Sequence, residues 1–347
     1  MRELSAYRRF QGPRSFPCGD SSYRRDGTRR STEARRRNTF IWYVWEETIE
    51  LTTGNHAQAL ALAASTFDIP AHIVMPTIST PSKIAGTQEY TDKVYFSGST
   101  SEEREQVVKE VIEKTGAILV PPYDHPDIML GQGTAALEID QQYKKLSEGR
   151  NMRSVIAPLG GGGLLSGTTI YFSDKPDTYV FGAEPSFEGG NDGQRGLMAD
   201  PPKRIESVKT LTIADGLRTP LGVNPWKIFT SGSDRKAKYL EGVYSVTEDQ
   251  IKDAMRLVLE RMKVFVEPSA VVGLAVVLYD ETFRSWARER QQEEGVKSWD
   301  MGIIFSGGNT TIEAIVGLFG SKEGEAEKRA EAKVGSDGKA VAENVAG

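Results

Sequence analysis

The stretch Ser154-Val155-Ile156-Ala157-Pro158-Leu159-Gly160-Gly161-Gly162-Gly163-Leu164 decides how this chain folds. Val155–Pro158 are apolar in a row rather than alternating, which predicts a strand buried on both faces. Four glycines follow, and a helical pattern begins after Gly163. Consecutive glycines lack Cβ atoms, so successive backbone N–H groups can turn inward as a nest. The positive end of the following helix adds to it. Phosphate is the natural occupant. A flexible linker is the alternative, although linkers rarely join a buried strand to a helix. The spacing is neither the Walker A pattern nor the dinucleotide fingerprint, so it does not name the phosphate compound.

Outward from this stretch, short apolar runs alternate with helical patterns. Gly54–Phe67 reads as a helix whose Ala59, Leu60, Leu62, Ala63 and Ala64 form a small-residue buried face. Strands are predicted at Ala71–Met75, Lys93–Phe96 and Ala117–Val120, with a charged helix over Ser101–Lys114. A helix containing Gln132–Gln142 precedes the glycine stretch, and a strand at Tyr179–Ala183 follows it. Thr247 caps a helix after a strand at Val243–Val246, with Glu248 and Asp249 in its first turn. Pro268 opens a helix through Tyr279, and Gly302–Phe305 is the last strand. The alternation predicts an α/β fold around parallel sheets. Residues 186–240, rich in Gly, Pro and polar side chains, read as one long irregular stretch of the kind that carries function.

Composition narrows the function classes. The chain has 347 residues, is 38% hydrophobic and 26% charged, and carries a net charge of −5. It lacks the basic footprint of a general nucleic-acid binder, while sites for small anions depend on local charge and stay open. Cys18 is the single cysteine, so no intrachain disulfide can form, which fits a reducing, cytoplasmic setting. No apolar run approaches the ~20 residues of a membrane span. The opening differs from the rest: through Arg37 it holds eleven arginines against four acidic residues. Residues 1–50 are therefore expected to form a disordered basic arm. The Arg- and Ser-rich composition also resembles a transit peptide, without its amphipathic helix. The aromatic patch Phe40–Trp45 reads as a strand or a misplaced apolar segment. Residues 321–347, rich in Ala, Glu, Lys and Gly without an apolar stripe, are expected to form a disordered tail.

Two further loops carry polar groups. Thr52-Thr53-Gly54-Asn55-His56-Ala57-Gln58 opens a helix whose free N–H groups can grip a carboxylate or phenolate oxygen. Read alone, it is an ordinary N-cap by Thr53 or Asn55, and His56 could equally be a packed, neutral histidine. Phe305-Ser306-Gly307-Gly308-Asn309 closes a strand, at the end where doubly wound sheets bind ligands. Read alone, it is a strand-to-helix turn.

Together with Gly131–Glu138, Ala183–Ser186, Ala214–Leu217 and Glu267–Ala270, these loops resemble one family over about Thr52–Leu318. That family is the pyridoxal-phosphate enzymes of the tryptophan-synthase-β fold, specifically the serine racemase and serine/threonine dehydratase branch. The resemblance implies a two-domain α/β architecture, with a small domain over 51–122 and a large cofactor domain over 123–320. It implies that Asn55 meets the ring hydroxyl of the cofactor, that Gly160, Gly161, Gly162, Gly163 and Leu164 hold its phosphate, and that Ser306 pairs with its pyridine nitrogen as a neutral hydroxyl. Thr53, Gly54, Asn55 and His56 would bind the substrate. Glu184 and Asp192 match candidate ligands for a magnesium or calcium ion, with the register of Asp192 displaced by an insertion. Racemases of the family carry a serine as second-face acid/base where this chain has Thr53. The β-branched threonine favours dehydration, giving an α-keto acid and ammonia. A cytoplasmic homodimer acting on a small hydroxy-amino acid completes the expectation.

One departure bears on activity. The family's Schiff-base lysine lies in a segment about thirty residues before the Asn-His loop, and here Asp20–Arg30 contains no such segment. No lysine precedes Lys83, which follows Pro81-Ser82 where relatives carry a different lysine. Lys83 is therefore not given the Schiff-base role. The expectation is cofactor binding with little or no turnover, because a positioned base contributes typically 10²–10⁴-fold. A non-catalytic cofactor-binding relative, or a regulatory or interaction protein, is the alternative.

Overall fold

The computed structural model describes residues 47–51, 54–79, 81–98, 101–231 and 239–320. One compact unit ends at Asn309, and Thr310–Gly347 form a second, helical over 312–320. The basic arm through Trp45 with its aromatic patch, and the tail at 321–347, lie outside the described residues.

Two parallel four-stranded sheets build the first unit. Strands β1 (Thr48–Leu51), β2 (Ala71–Pro76), β3 (Val94–Ser97) and β4 (Ile118–Leu119) pair in the order β3-β2-β1-β4. Strands β5 (Ser154–Pro158), β6 (Tyr179–Pro185), β7 (Gly242–Val246) and β8 (Met301–Ile303) pair in the order β7-β6-β5-β8. Every residue of β2 and β5 is buried, the polar His72 and Ser154 included, as strands of a parallel sheet covered on both faces require. Thr48 and Ile49, inside the segment expected to be an arm ending at residue 50, are also fully buried as part of β1. That strand is too short for its period to show against the arginine-rich background.

Helices α1 (Asn55–Thr66), α2 (Pro81–Gln88) and α3 (Ser101–Thr115) belong to the first sheet. Ala57, Leu60, Ala61 and Ala64 of α1 pack with Ile73 and Met75 of β2, so small side chains bring the helix close to the sheet. The helix expected around Gln132–Gln142 is two: α4 (Pro126–Gln132) and α5 (Thr134–Leu146), joined at Gly133. Gly133 abuts Gly167 of α6 (Gly163–Phe172), where an added Cβ would meet the Met129 carbonyl oxygen at 2.2 Å. The chain bends where two backbones touch.

Residues 186–240 are less irregular than expected. They contain α7 (Asp192–Met198) and α8 (Val223–Thr230), each too short for its period to stand out. Thr247 caps α9 (Glu248–Leu257), as the sequence predicts, and Gln250 completes a capping box with it. Pro268–Val271 make one tight turn that leads into α10 (Val272–Tyr279). The unanticipated α11 (Glu281–Glu293) starts at Asp280, whose carboxylate accepts the Phe283 N–H at 2.8 Å. Phe283 meets Phe181 edge-to-face at 5.2 Å, locking α11 onto β6. Among the described residues no helix is long and apolar enough to cross a membrane.

Candidate functional site

The loops leaving β1, β5 and β8 at their carboxyl ends converge on one cavity of about 480 Å³. Its floor is the glycine loop. A Cβ on Gly161 would lie 2.3–2.5 Å from the Tyr123 ring, and one on Gly160 would lie 2.9 Å from the Leu217 Cα. Gly162 has φ +98°, a left-handed conformation that L side chains disfavour, and directly precedes α6. The four glycines therefore allow a bare backbone, a helix N-terminus and two neighbouring loops to occupy the same small space.

Across the cavity, Asn55 opens α1 and closes a polar network. Its Nδ2 donates to Glu267 Oε1 at 2.8 Å, its Oδ1 accepts from Asn309 Nδ2 at 2.6 Å, and the Asn309 N–H donates to Glu267 Oε2 at 3.0 Å. Glu267 is 1% exposed. Burial first, then the charge of Asp215, push its carboxyl above the usual range, against the pull of Asn55 and Lys83. Gly307, at φ +117°, leaves room for this carboxylate: a Cβ there would meet Oε1 at 2.4 Å. Lys83, buried on α2, pairs with Asp215 and lies against Gly54, where a Cβ would meet its Cδ at 2.7 Å. His56 is buried and its imidazole is held down at about 4, so it is neutral at physiological pH. Ser306, half-buried beyond β8, lines the same cavity.

Residues 45–290 match the pyridoxal-phosphate dependent enzyme family. The chain belongs to that family. It is 36% identical over 273 residues to the L-threo-3-hydroxyaspartate ammonia-lyase of a Pseudomonas species, covering 78% of this chain and 76% of that protein. Maize serine racemase superposes with a TM-score of 0.67 at 35% identity, over 82% of this chain and 78% of that one. The serine racemase of Dictyostelium discoideum superposes with a TM-score of 0.64 at 34% identity, over 78% and 79%. The expected fold and the racemase–dehydratase branch are both supported by these likenesses.

The residues present fit the family's cofactor. The glycine cradle is a space any Cβ would fill, and it offers backbone N–H groups and a helix N-terminus to a phosphate. The structure brings Gly54, Asn55, His56, Gly160, Gly161, Gly162, Gly163, Leu164 and Ser306 to one cavity. Thr53 lies outside the described residues. Glu184 and Asp192 are neighbours away from that lining. Glu184 caps the start of α7, its two oxygens accepting the Gly193 and Gln194 N–H groups at 2.9 Å. Asp192 accepts the Leu221 N–H at 2.9 Å. Burial and then the Asp192 charge push Glu184 well above the usual carboxylate range, and burial raises Asp192. Two buried neighbouring carboxyls are chemically suited to a cation, but no group of three or more His, Cys, Asp or Glu gathers for a metal among the described residues. Sequence reasoning missed Tyr123 behind the glycine loop and gave no role to Lys83. An aromatic in a loop and a lysine at a helix start carry no pattern by themselves.

Proposed function

We propose that the chain uses this cavity to hold pyridoxal phosphate and to eliminate the β-hydroxyl of a small hydroxy-amino acid, releasing an α-keto acid and ammonia. The convergence of the glycine nest, Asn55 and Ser306 on one cavity carries the proposal. When bound, the cofactor supplies an electron sink for the substrate's Cα. The chain's residues do the rest. Gly160–Leu164 hold the phosphate with backbone N–H groups, Asn55 turns its amide to the ring hydroxyl, and Ser306 offers a neutral hydroxyl to the ring nitrogen. The N–H groups at the start of α1, from Gly54 to His56, receive the substrate carboxylate, where the helix dipole favours negative charge. Thr53 is assigned to the second face, and its β-branch favours dehydration over racemisation.

The Glu184–Asp192 pair is proposed as a secondary cation site, supported by the burial of both carboxyls and by the push of the Asp192 charge on Glu184. The division into a small domain over 51–122 and a large one over 123–320, and a cytoplasmic homodimer, follow the family resemblance.

Equilibrium dialysis with pyridoxal phosphate and with phosphate-free pyridoxal tests the cradle: retention of the first and not the second is expected. Keto-acid release from L-serine, L-threonine and L-threo-3-hydroxyaspartate tests the reaction. Equal retention of both cofactor forms, with no keto acid from any substrate, would refute the proposal.

A further inference from the structure

Lysine is rarely buried without a reason, since its charge must be paired or its proton lost. Lys83 is 6% exposed, at the start of α2. Its stem lies against Gly54, and its Nζ is held by the Asp215 carboxylate. The loop carrying Asp215 is the one whose Leu217 backbone touches the glycine cradle at Gly160. Lys83 therefore bridges the Asn55 side of the cavity and the phosphate side.

The cofactor's chemistry gives that position meaning. On the pyridoxal ring, the hydroxyl, the aldehyde and the arm bearing the phosphate occupy consecutive carbons, and the ring nitrogen lies opposite the aldehyde. With Asn55 at the hydroxyl, Gly160–Gly163 at the phosphate and Ser306 at the nitrogen, the group between the first two faces the aldehyde. We infer that Lys83 is the amine that captures the cofactor aldehyde in this chain, in place of the missing upstream lysine. The inference rests on the reading of the site under Proposed function.

The step balances within the residues at hand. The Lys83 ammonium gives one proton to the Asp215 carboxylate, and the neutral Nζ adds to the aldehyde carbon. The resulting carbon–oxygen bond breaks with loss of one water, leaving a carbon–nitrogen double bond. Asp215 returns its proton to that nitrogen. No oxidant or further reactant is needed.

Borohydride reduction of the full-length protein loaded with pyridoxal phosphate, followed by peptide mass mapping, tests the assignment. The reduced adduct is expected on Lys83. Lys83→Met should retain cofactor in dialysis but lose the trapped adduct, whereas Lys145→Ala, on the exposed side of α5, should keep both. Asp215→Asn keeps the amine and removes its proton acceptor, so trapping should slow while still mapping to Lys83. This second variant serves if Lys83→Met fails to fold. An adduct on another lysine, or cofactor retained with Lys83 unmodified, would overturn the inference and leave the cradle reading intact. Failure to retain the cofactor at all would overturn both.

Discussion

Gly161→Ala is the sharpest test of the cradle. The added Cβ would meet the Cγ, Cδ1 and Cδ2 atoms of Tyr123 at 2.3–2.5 Å, against about 3.5–4.0 Å for an ordinary carbon contact. About 1 Å of movement or more is needed, too much for the half-buried ring to absorb by relaxing in place. Overpacking of this kind costs about 1–3 kcal/mol. The loop relieves it by swinging off Tyr123, and phosphate binding then has to drive the loop back. The dissociation constant for pyridoxal phosphate should rise about 5- to 150-fold. Fluorescence titration of the apo protein measures this, and Tyr123→Ala combined with Gly161→Ala should recover most of the loss. As a control, Gly149→Ala has nothing within 4 Å of its Cβ and a φ of +90°, so it should lower stability without touching affinity. Wild-type affinity in Gly161→Ala, or no recovery in the double variant, would refute the steric account.

Other consequences can be measured directly. The His56 imidazole drops from 6.5 to about 4 on folding, so the unfolded chain binds the extra proton between those values. Roughly 3 kcal/mol of stability should be lost as pH falls through that window, and urea denaturation of His56→Asn should show a flatter profile there. Asn55→Ala strips partners from Glu267 Oε1 and the Asn309 amide together, and should cost about 1–3 kcal/mol in urea denaturation besides weakening cofactor binding. Magnesium or calcium should raise the melting temperature of the wild type and not of Glu184→Gln. An unchanged wild-type melting temperature at millimolar cation would remove the pair from consideration as a metal site. Thr247→Ala breaks the capping box of α9 and should cost about 1 kcal/mol, read from the denaturation midpoint.

Much of the fold was legible because parallel strands in a covered sheet are predominantly apolar on both faces. Ser154–Pro158 and Ala71–Met75 announce themselves that way, and the glycines after Pro158 have no ordinary structural use between a buried strand and a helix. Gly133 was not legible as a break, because its reason is Gly167, a neighbour only in three dimensions. Short helices such as Asp192–Met198 escape because fewer than two full turns give no period to read. The site followed the same division. Asn55 and Ser306 sit in loops with a recognisable pattern, whereas the importance of Lys83 depends on Asp215, 132 positions away.

The order β3-β2-β1-β4 also constrains how the chain is made. Thr48 pairs with Ala71 on one side and with Ile118 on the other, so the earliest described strand ends up interior to its sheet. Its second partner leaves the ribosome 70 residues later. At synthesis rates of about 5–20 residues per second, that is a wait of roughly 4–14 s. During that interval one edge of a strand destined for the interior has only transient company. Chaperone demand during translation should therefore be greatest while residues 51–118 emerge, and slower decoding there should lower the yield of folded chain.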